Sequence, residues 1–152
     1  MLSNDILRSV RYILKANNTD LARILALGNV DATPEIWLRK EEEEGFQRCP
    51  DIVLSSFLNG LIYEKRGKDE AAPALTAERR INNNIVLKKL RIAFSLKTDD
   101  ILAILTGQLF RVSMPEITAM MRAPDHKNFR ECGDQFMRYF LRGLAAREHA
   151  AK

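Results

Sequence analysis

The feature that most constrains this chain is an internal repetition of a helix-sized segment. Residues 46–61 read FQRCPDIVLSSFLNGL, residues 129–144 read FRECGDQFMRYFLRGL, and seven of the sixteen positions are identical. The match continues towards the N-terminus with an offset that drifts from 80 to 83 residues, so the second copy is three residues longer in its loops. The further matching pairs are NDILRSVRYIL with NIVLKKLRIAF (4–14 and 84–94), TDLARIL with DDILAIL (19–25 and 99–105), and TPEI with MPEI (33–36 and 114–117).

This repetition predicts a tandem duplication with a connector between the copies. The first repeat is assigned to residues 1–65, the linker to 66–82 and the second repeat to 83–149. The linker, RGKDEAAPALTAERRIN, is rich in Ala and charge and lacks a clear apolar stripe, which is typical of an exposed connector.

Apolar spacing predicts that both copies are helical. Apolar residues recur at helical intervals in each segment, and strand-like alternation is scarce. The sequence around Ser113 and Glu116 fits a capping box at the start of a helix. The last helix of each copy carries an apolar stripe, formed by Leu54, Phe57, Leu58 and Leu61 in the first and by Met137, Phe140, Leu141 and Leu144 in the second. We therefore predict an all-α protein built from two copies of a four-helix unit.

One glycine recurs inside the last helix of each copy, at Gly60 and Gly143. A glycine within a helix costs about 1 kcal/mol relative to alanine, so its recurrence predicts close approach of another helix. Two copies are too few for a solenoid. We therefore expect the copies to pack about a pseudo-twofold axis, with these glycines at the inter-repeat seam. The alternative is that each glycine meets a neighbour within its own unit.

Composition limits the classes of protein to which this chain can belong. Apolar residues make up 46% of the 152 and charged residues 29%, which is usual for a globular domain with a buried core. No apolar run is long enough to span a bilayer, and the N-terminus lacks the features of a signal peptide. Two cysteines are not a disulfide framework. We expect a cytoplasmic protein with reduced thiols and no membrane partner.

Residues with catalytic or metal-binding chemistry are sparse. Cys49 and Cys132 occupy equivalent positions, but the first repeat has no histidine to activate a thiol, so both are predicted to be buried core residues. His126, Cys132 and His149 do not have a metal-site spacing. The acidic run at 41–44 is interpreted as a solvated helix end, and no phosphate-binding glycine loop is present. We expect no enzyme, no cofactor and no metal.

The second repeat carries the excess positive charge. The net charge is −1 over residues 1–66 and +5 over residues 82–152, an asymmetry that favours an anionic partner. The order LRIAFSL, DDILAILTGQ and PEITAMMR resembles a repressor-type helix-turn-helix, although the last connection looks like five to seven residues instead of three or four. We predict nucleic-acid (DNA) contact, in a regulatory role, through a basic face lined by Lys88, Lys89, Arg91, Thr118, Arg122, Lys127, Arg130 and Arg138.

A second hypothesis is a protein-interaction or dimerisation module without nucleic-acid binding. Its candidate exposed apolar contacts are Trp37, Phe110, Met120 and Met121. The alternative for these residues is that they belong to the core. An exposed apolar patch would favour a protein partner, and a contiguous positive face would favour nucleic acid.

Segments throughout the chain resemble the YehS-like family, a bacterial two-copy domain of unknown function. The segments that carry this resemblance are NDILRSVRYILKAN, FQRCPDIVLSSFLNGLIYEKRGK and MPEITAMMRAPDHKNFRECGDQF. The resemblance implies a cytoplasmic bacterial protein with a duplicated helical domain, and it implies no activity or catalytic residue. The region VDATPEIW is shorter than the family pattern, so the resemblance does not define where the third helix of the first repeat starts.

Overall fold

The structure, a computed structural model, describes residues 1–151 and is all-α over that range. It contains no strand among these residues, and none of its helices is long and apolar enough to cross a membrane. The α-helices are α1 (Ser3–Leu14), α2 (Asn18–Leu27), α3 (Asp51–Arg66), α4 (Asn83–Ala93), α5 (Thr98–Gly107), α6 (Met114–Met120) and α7 (Asp134–Ala150), and one 3₁₀ helix spans Pro34–Trp37.

The chain divides into two compact units, of which the first is Met1–Ile81 and the second begins at Asn82. In the first unit α2 packs along α3, and in the second α5 packs along α7. The predicted stripes of the two last helices are buried, as expected. The other helices of the first unit bury Ile6, Leu7, Val10, Ile13, Leu21, Ile24 and Leu25, and α4 and α5 of the second unit bury, among others, Val86, Leu87, Leu90, Ile101, Ile104 and Leu105.

A buried asparagine near the start of α1 holds the first unit together. The Asn4 Nδ2 donates to the carbonyl oxygens of Trp37 (3.1 Å) and Gln47 (2.8 Å), and its Oδ1 accepts from the Cys49 backbone N–H (2.8 Å). Both N–H groups and the oxygen of the amide are therefore hydrogen-bonded to backbone groups, which offsets the cost of burying it. This one side chain fixes α1 to both ends of the loop that leads into α3.

The same arrangement recurs in the second unit. The Asn84 Nδ2 donates to the carbonyl oxygens of Met120 (3.0 Å) and Arg130 (2.9 Å), and its Oδ1 accepts from the Cys132 N–H (2.9 Å). Trp37 and Met120 are therefore counterparts in the two repeats, as are Cys49 and Cys132, and both pairs are separated by 83 residues. The duplication therefore extends to a buried polar network as well as to the apolar pattern.

The recurring glycines are explained inside each unit. A Cβ at Gly60 would overlap the backbone carbonyl oxygen of Ile24 on α2, and a Cβ at Gly143 would lie 2.6 Å from the Ile104 Cγ2 and 2.8 Å from its carbonyl oxygen on α5. Close helix approach was predicted correctly, but the neighbour is the second helix of the same unit. Gly60 and Gly143 therefore give no support to an inter-repeat seam, and the pseudo-twofold packing stays a prediction.

The third element, predicted as a helix in both copies, is an α-helix only in the second unit. In the second unit α6 is a two-turn helix, and the predicted capping box is confirmed by the Ser113 N–H donating to the Glu116 carboxylate (3.1 Å). In the first unit the equivalent is the four-residue 3₁₀ helix, and Thr33 makes no side-chain cap. The offset is 81 residues at the shared PEI and 83 at Trp37, so the counterparts of two α6 residues are missing and an α-helical turn cannot form.

Candidate nucleic-acid interface

The residues predicted to line one basic face lie in several different environments. Lys89 is wrong as a surface contact, because only 9% of it is exposed within α4. Arg91 is half-buried, and its Nε is a buried donor without a hydrogen-bond partner. Lys89 follows Val86 by one helical turn, so it is on the buried side of α4 and not on the face that a charge count suggests.

Three of the predicted cations meet at one corner of the second unit. The Lys88 Nζ donates to the Arg122 carbonyl oxygen (3.2 Å), and the Arg122 Nη1 donates to the Asn128 carbonyl oxygen (3.1 Å). Lys127 is exposed on the loop that this second bond holds. The Lys88, Arg122 and Lys127 side chains are named here the basic corner. Both bonds go to neutral carbonyl oxygens, so the positive charges of Lys88 and Arg122 are not neutralised by them.

The remaining predicted residues are dispersed over other elements. Thr118 is exposed on α6. Arg130 forms an ion pair with Glu116 (3.0 Å), which makes Arg130 less available for contact with a phosphate. Arg138 is exposed on α7, where its Nη1 donates to the Gln135 side chain (3.2 Å). The structure therefore brings together three of the eight predicted residues.

The first unit has an equivalent corner with the same backbone bonds. The Arg8 Nη1 donates to the Arg39 carbonyl oxygen (3.1 Å), and the Arg39 Nη1 donates to the Glu44 carbonyl oxygen (2.6 Å). The Lys40 N–H donates to the Glu43 carboxylate (2.7 Å). This group, Arg8 with residues 39–44, is named the acidic corner. Here the four consecutive glutamates 41–44 are all exposed.

The two corners carry opposite charge on one hydrogen-bonded frame. The three basic side chains of the acidic corner face four carboxylates, which gives a net charge of −1. At the basic corner the only carboxylate in the loop 123–129 is Asp125, which gives a net charge of +2. Phosphate would be attracted to one corner and repelled from the other.

The second unit departs from the helix-turn-helix pattern in the length of one connection and of its third helix. The connection between α5 and α6 spans the six residues 108–113, and α6 has only seven residues. A recognition helix enters the major groove and presents its first turns to base edges. The two turns of α6 give a short helix whose Ile117 and Met120 are buried, which leaves few side chains for that role.

The apolar residues proposed for protein contact divide into two groups. Trp37 and Met120 are wrong as exposed contacts, because 7% and 3% of them are exposed and their carbonyl oxygens are held by the buried asparagines. Phe110 and Met121 are half-buried. Sequence reasoning missed Leu109, which is 96% exposed and has a φ of 60°. Its counterpart in the first repeat, Asn29, has a φ of 65°. Asparagine adopts this left-handed backbone conformation more readily than leucine, so alignment of the two copies identifies Leu109 as unusual at this position.

Both cysteines are buried, as predicted, with 1% of Cys49 and 6% of Cys132 exposed. Burial raises the pKa of each thiol to about 12, and the nearby carboxylates of Asp51 and Asp134 add to this. Such thiols are protonated at neutral pH and are poor nucleophiles. Among residues 1–151 no three His, Cys, Asp or Glu side chains are grouped so that they could hold a metal ion.

Comparison with known proteins gives two matches. A family model described as a protein of unknown function (DUF1456) matches residues 3–67 and again residues 83–149, which confirms the tandem duplication and the predicted family resemblance. The uncharacterized protein YehS of Escherichia coli strain K12 is 88% identical over 155 aligned positions, which cover 100% of this chain and 99% of the relative. No solved structure matches.

Proposed function

The chain belongs to the two-copy DUF1456 family, and we propose that it is a non-enzymatic binding protein whose second repeat contacts the phosphate backbone of DNA through the basic corner. The observation that carries this proposal is the charge difference between the two corners. The same pair of side-chain bonds to carbonyl oxygens holds both loops, so the fold does not require the loop around Lys127 to be basic. A local change from −1 to +2 on an unchanged frame is a difference that ligand binding explains.

The geometry favours phosphate contact over base readout. Lys88 and Arg122 are held against carbonyl oxygens, so each keeps its charge while its position is restricted. Contacts of this kind supply affinity and orientation without sequence preference. Thr118, exposed on α6, is the only one of the eight predicted residues with a short polar side chain suited to a base edge. We therefore propose a binding mode in which the corner, and not a recognition helix, provides most of the affinity.

The absence of catalysis is part of the same proposal. The two equivalent thiols are buried and have raised pKa values, which supports a structural role for them. His126 uses its Nδ1 to accept the Asn128 N–H (3.0 Å), so this ring contributes to the shape of the loop. These contacts support structural roles for the residues that would otherwise be the first candidates for catalysis.

The proposal is tested by fluorescence anisotropy of a labelled random-sequence DNA duplex at two salt concentrations. With three phosphate contacts, the affinity is expected to fall about 40-fold between about 50 and 200 mM salt. The reason is that each phosphate contact lowers the logarithm of the binding constant by about 0.9 for every tenfold rise in salt concentration. No saturable binding at the lower salt would contradict the proposal.

Matched variants locate the interface. Lys88→Gln with Lys127→Gln removes two charges and leaves an amide that can donate to the Arg122 carbonyl oxygen. The salt slope is expected to become less negative by about 1.8. Arg8→Gln with Lys40→Gln removes two charges from the acidic corner and is expected to leave the slope unchanged. Equal effects of the two pairs would show that binding follows total charge and not the basic corner.

A further inference from the structure

Residues 67–81 lie along α3 of their own unit and are named here the strap. The Ile81 N–H donates to the Asp51 carboxylate (3.1 Å) in the first turn of α3. One turn later, the Glu78 N–H donates to the Ser55 Oγ (2.9 Å), and that hydroxyl donates to the Glu78 carboxylate (2.5 Å). The segment assigned as a connector from the sequence is therefore bound to α3.

The strap runs antiparallel to α3 over three turns. Its Leu75 N–H donates to the Tyr63 hydroxyl (2.7 Å), near the end of the helix. The contacts at positions 51, 55 and 63 follow a four-residue spacing, which describes one stripe on the helix surface. Seven strap residues, from Leu75 to Ile81, lie beside thirteen helical residues, from Asp51 to Tyr63, as expected for extended chain beside a helix.

The equivalent stripe on α7 is exposed and basic. At the offset of 83 residues, Asp51 corresponds to Asp134, which keeps the acidic residue, while Ser55 corresponds to Arg138, Asn59 to Arg142 and Tyr63 to Ala146. Arg138, Arg142 and Ala146 are all exposed, whereas Ser55 and Asn59 are buried. Two neutral polar positions on α3 are therefore two arginines on α7. These three α7 residues are named the α7 stripe.

An apolar margin borders the α7 stripe. The Arg142 guanidinium lies over the Tyr139 ring (5.1 Å to the centroid), and that ring packs against Phe110 (5.3 Å between centroids). The exposed Leu109 precedes Phe110, and the loop from Leu109 to Val112 lines an open cavity of about 340 Å³. Two fixed cations beside aromatic and aliphatic surface suit a peptide, which brings both charged and apolar side chains.

We infer that the α7 stripe binds an extended acidic peptide segment of a protein partner, in the way that the strap binds α3. The first unit supplies the geometry, because it shows an extended segment on the equivalent surface. The arginines supply the selectivity, because guanidinium groups pair with carboxylates through two parallel hydrogen bonds. A carboxylate at the position of Glu78 in the strap meets Arg138 instead of the Ser55 hydroxyl.

The probe for this inference is a labelled peptide with the strap sequence, residues 67–81, in which Arg79 and Arg80 are replaced by Gln. These changes lower its net charge from 0 to −2. It is titrated into the full chain, where the protein's own strap competes for α3 at high effective concentration. The peptide is therefore directed to α7, and saturable binding is expected below about 1 mM, the weak end of specific association.

Variants on both sides identify the contact. Arg138→Ser with Arg142→Asn, which installs the α3 residues on α7, is expected to weaken peptide binding about fivefold or more, the upper range for exposed ion pairs. Glu78→Gln in the peptide weakens binding to the unaltered protein and has little effect on binding to this variant. As a check on folding, Arg138→Glu with Arg142→Glu is expected to bind a peptide whose acidic residues are replaced by Lys.

The result is separable from the proposed DNA contact. Lys88→Gln with Lys127→Gln is expected to bind the peptide as the unaltered protein does. The inference is overturned by absence of saturable peptide binding, by equal binding to the Arg138→Ser, Arg142→Asn variant, or by complete displacement of the peptide by duplex DNA. The last outcome would assign the stripe to nucleic acid.

Discussion

The acidic and basic corners show how two copies of one unit separate structure from charge. In both, a cation on the first helix donates to the carbonyl oxygen of an arginine, and that arginine donates to a loop carbonyl oxygen. The loop that these bonds hold carries four glutamates in the first copy and Lys127 in the second. Features shared by the copies are those that folding requires, and features that differ are free to serve binding.

The closest helix contacts also differ between the units, and this gives the largest expected effect. Gly60→Ala would press a methyl group against the rigid backbone of Ile24, whereas at Gly143 the nearest atom belongs to the Ile104 side chain. We expect Gly60→Ala to destabilise its unit by about 3 kcal/mol and Gly143→Ala by about 1–2 kcal/mol. Native-state hydrogen exchange of the α3 and α7 amides measures each unit separately. A larger loss at Gly143 would reverse the comparison.

The buried asparagines test the opposite expectation, that the two units respond alike. Asn4→Ala and Asn84→Ala each leave two backbone carbonyl oxygens and one N–H without their side-chain partner. We expect a loss of about 2–3 kcal/mol in the affected unit for either change, because unsatisfied buried groups lose their full solvation. Urea unfolding followed by circular dichroism provides the measurement. Losses that differ by more than twofold would show that the two networks are not equivalent in energy.

Removing the negative charge of the acidic corner should make it resemble the basic one. Replacing the four glutamates at 41–44 by glutamine leaves Arg39 and Lys40 without opposing carboxylates in the loop, while Arg8 keeps its ion pair with Asp5. We expect DNA affinity at low salt to rise several-fold, about 1 kcal/mol, with a steeper salt dependence. The same anisotropy titration measures this. Unchanged affinity in the quadruple variant would mean that the corner charge does not govern binding.

The residues that follow α2 and α5 offer a smaller and reciprocal test. Leu109 and Asn29 occupy equivalent left-handed backbone positions, with φ values of 60° and 65°. Leu109→Asn is expected to stabilise the second unit by about 0.5–1 kcal/mol, and Asn29→Leu to destabilise the first by a similar amount, because leucine is strained in this conformation. Thermal unfolding monitored by circular dichroism detects both shifts. Shifts of the same sign would contradict the backbone explanation.

The capping box of α6 predicts a pH dependence without a counterpart at Thr33. Hydrogen bonds from Ser113 lower the pKa of Glu116 below its usual 4.5. Because this pKa is lowered in the folded state, the ionised carboxylate stabilises α6 fully above pH 4.5. The stabilisation is lost as the pH falls through the pKa of Glu116 in the folded protein. The native chain should therefore be more stable than the Glu116→Gln variant at neutral pH. This difference in the free energy of unfolding, measured by urea unfolding, should disappear in acid. A constant difference would exclude the charged carboxylate as its source.

The sequence by itself determined the duplication, the helical class and the buried stripes of α3 and α7. These features depend on local periodicity and on identity between two segments, which can be read without knowing what packs against them. It also determined that Cys49 and Cys132 are core residues, because one copy lacks a histidine. The capping box at Ser113 was equally local, since its donor and acceptor are three residues apart.

Only the tertiary structure decided which neighbour each side chain meets. Lys89 is buried although it is charged, Gly60 and Gly143 approach helices of their own units, and Trp37 and Met120 are covered where they were expected to be exposed. Gly60 meets Ile24 and Gly143 meets Ile104, both more than 30 positions away in sequence, and local patterns carry no information on such pairs. The strap shows the same limit, because its polar composition indicates an exposed connector while Ser55 and Asp51 on α3 provide its binding surface.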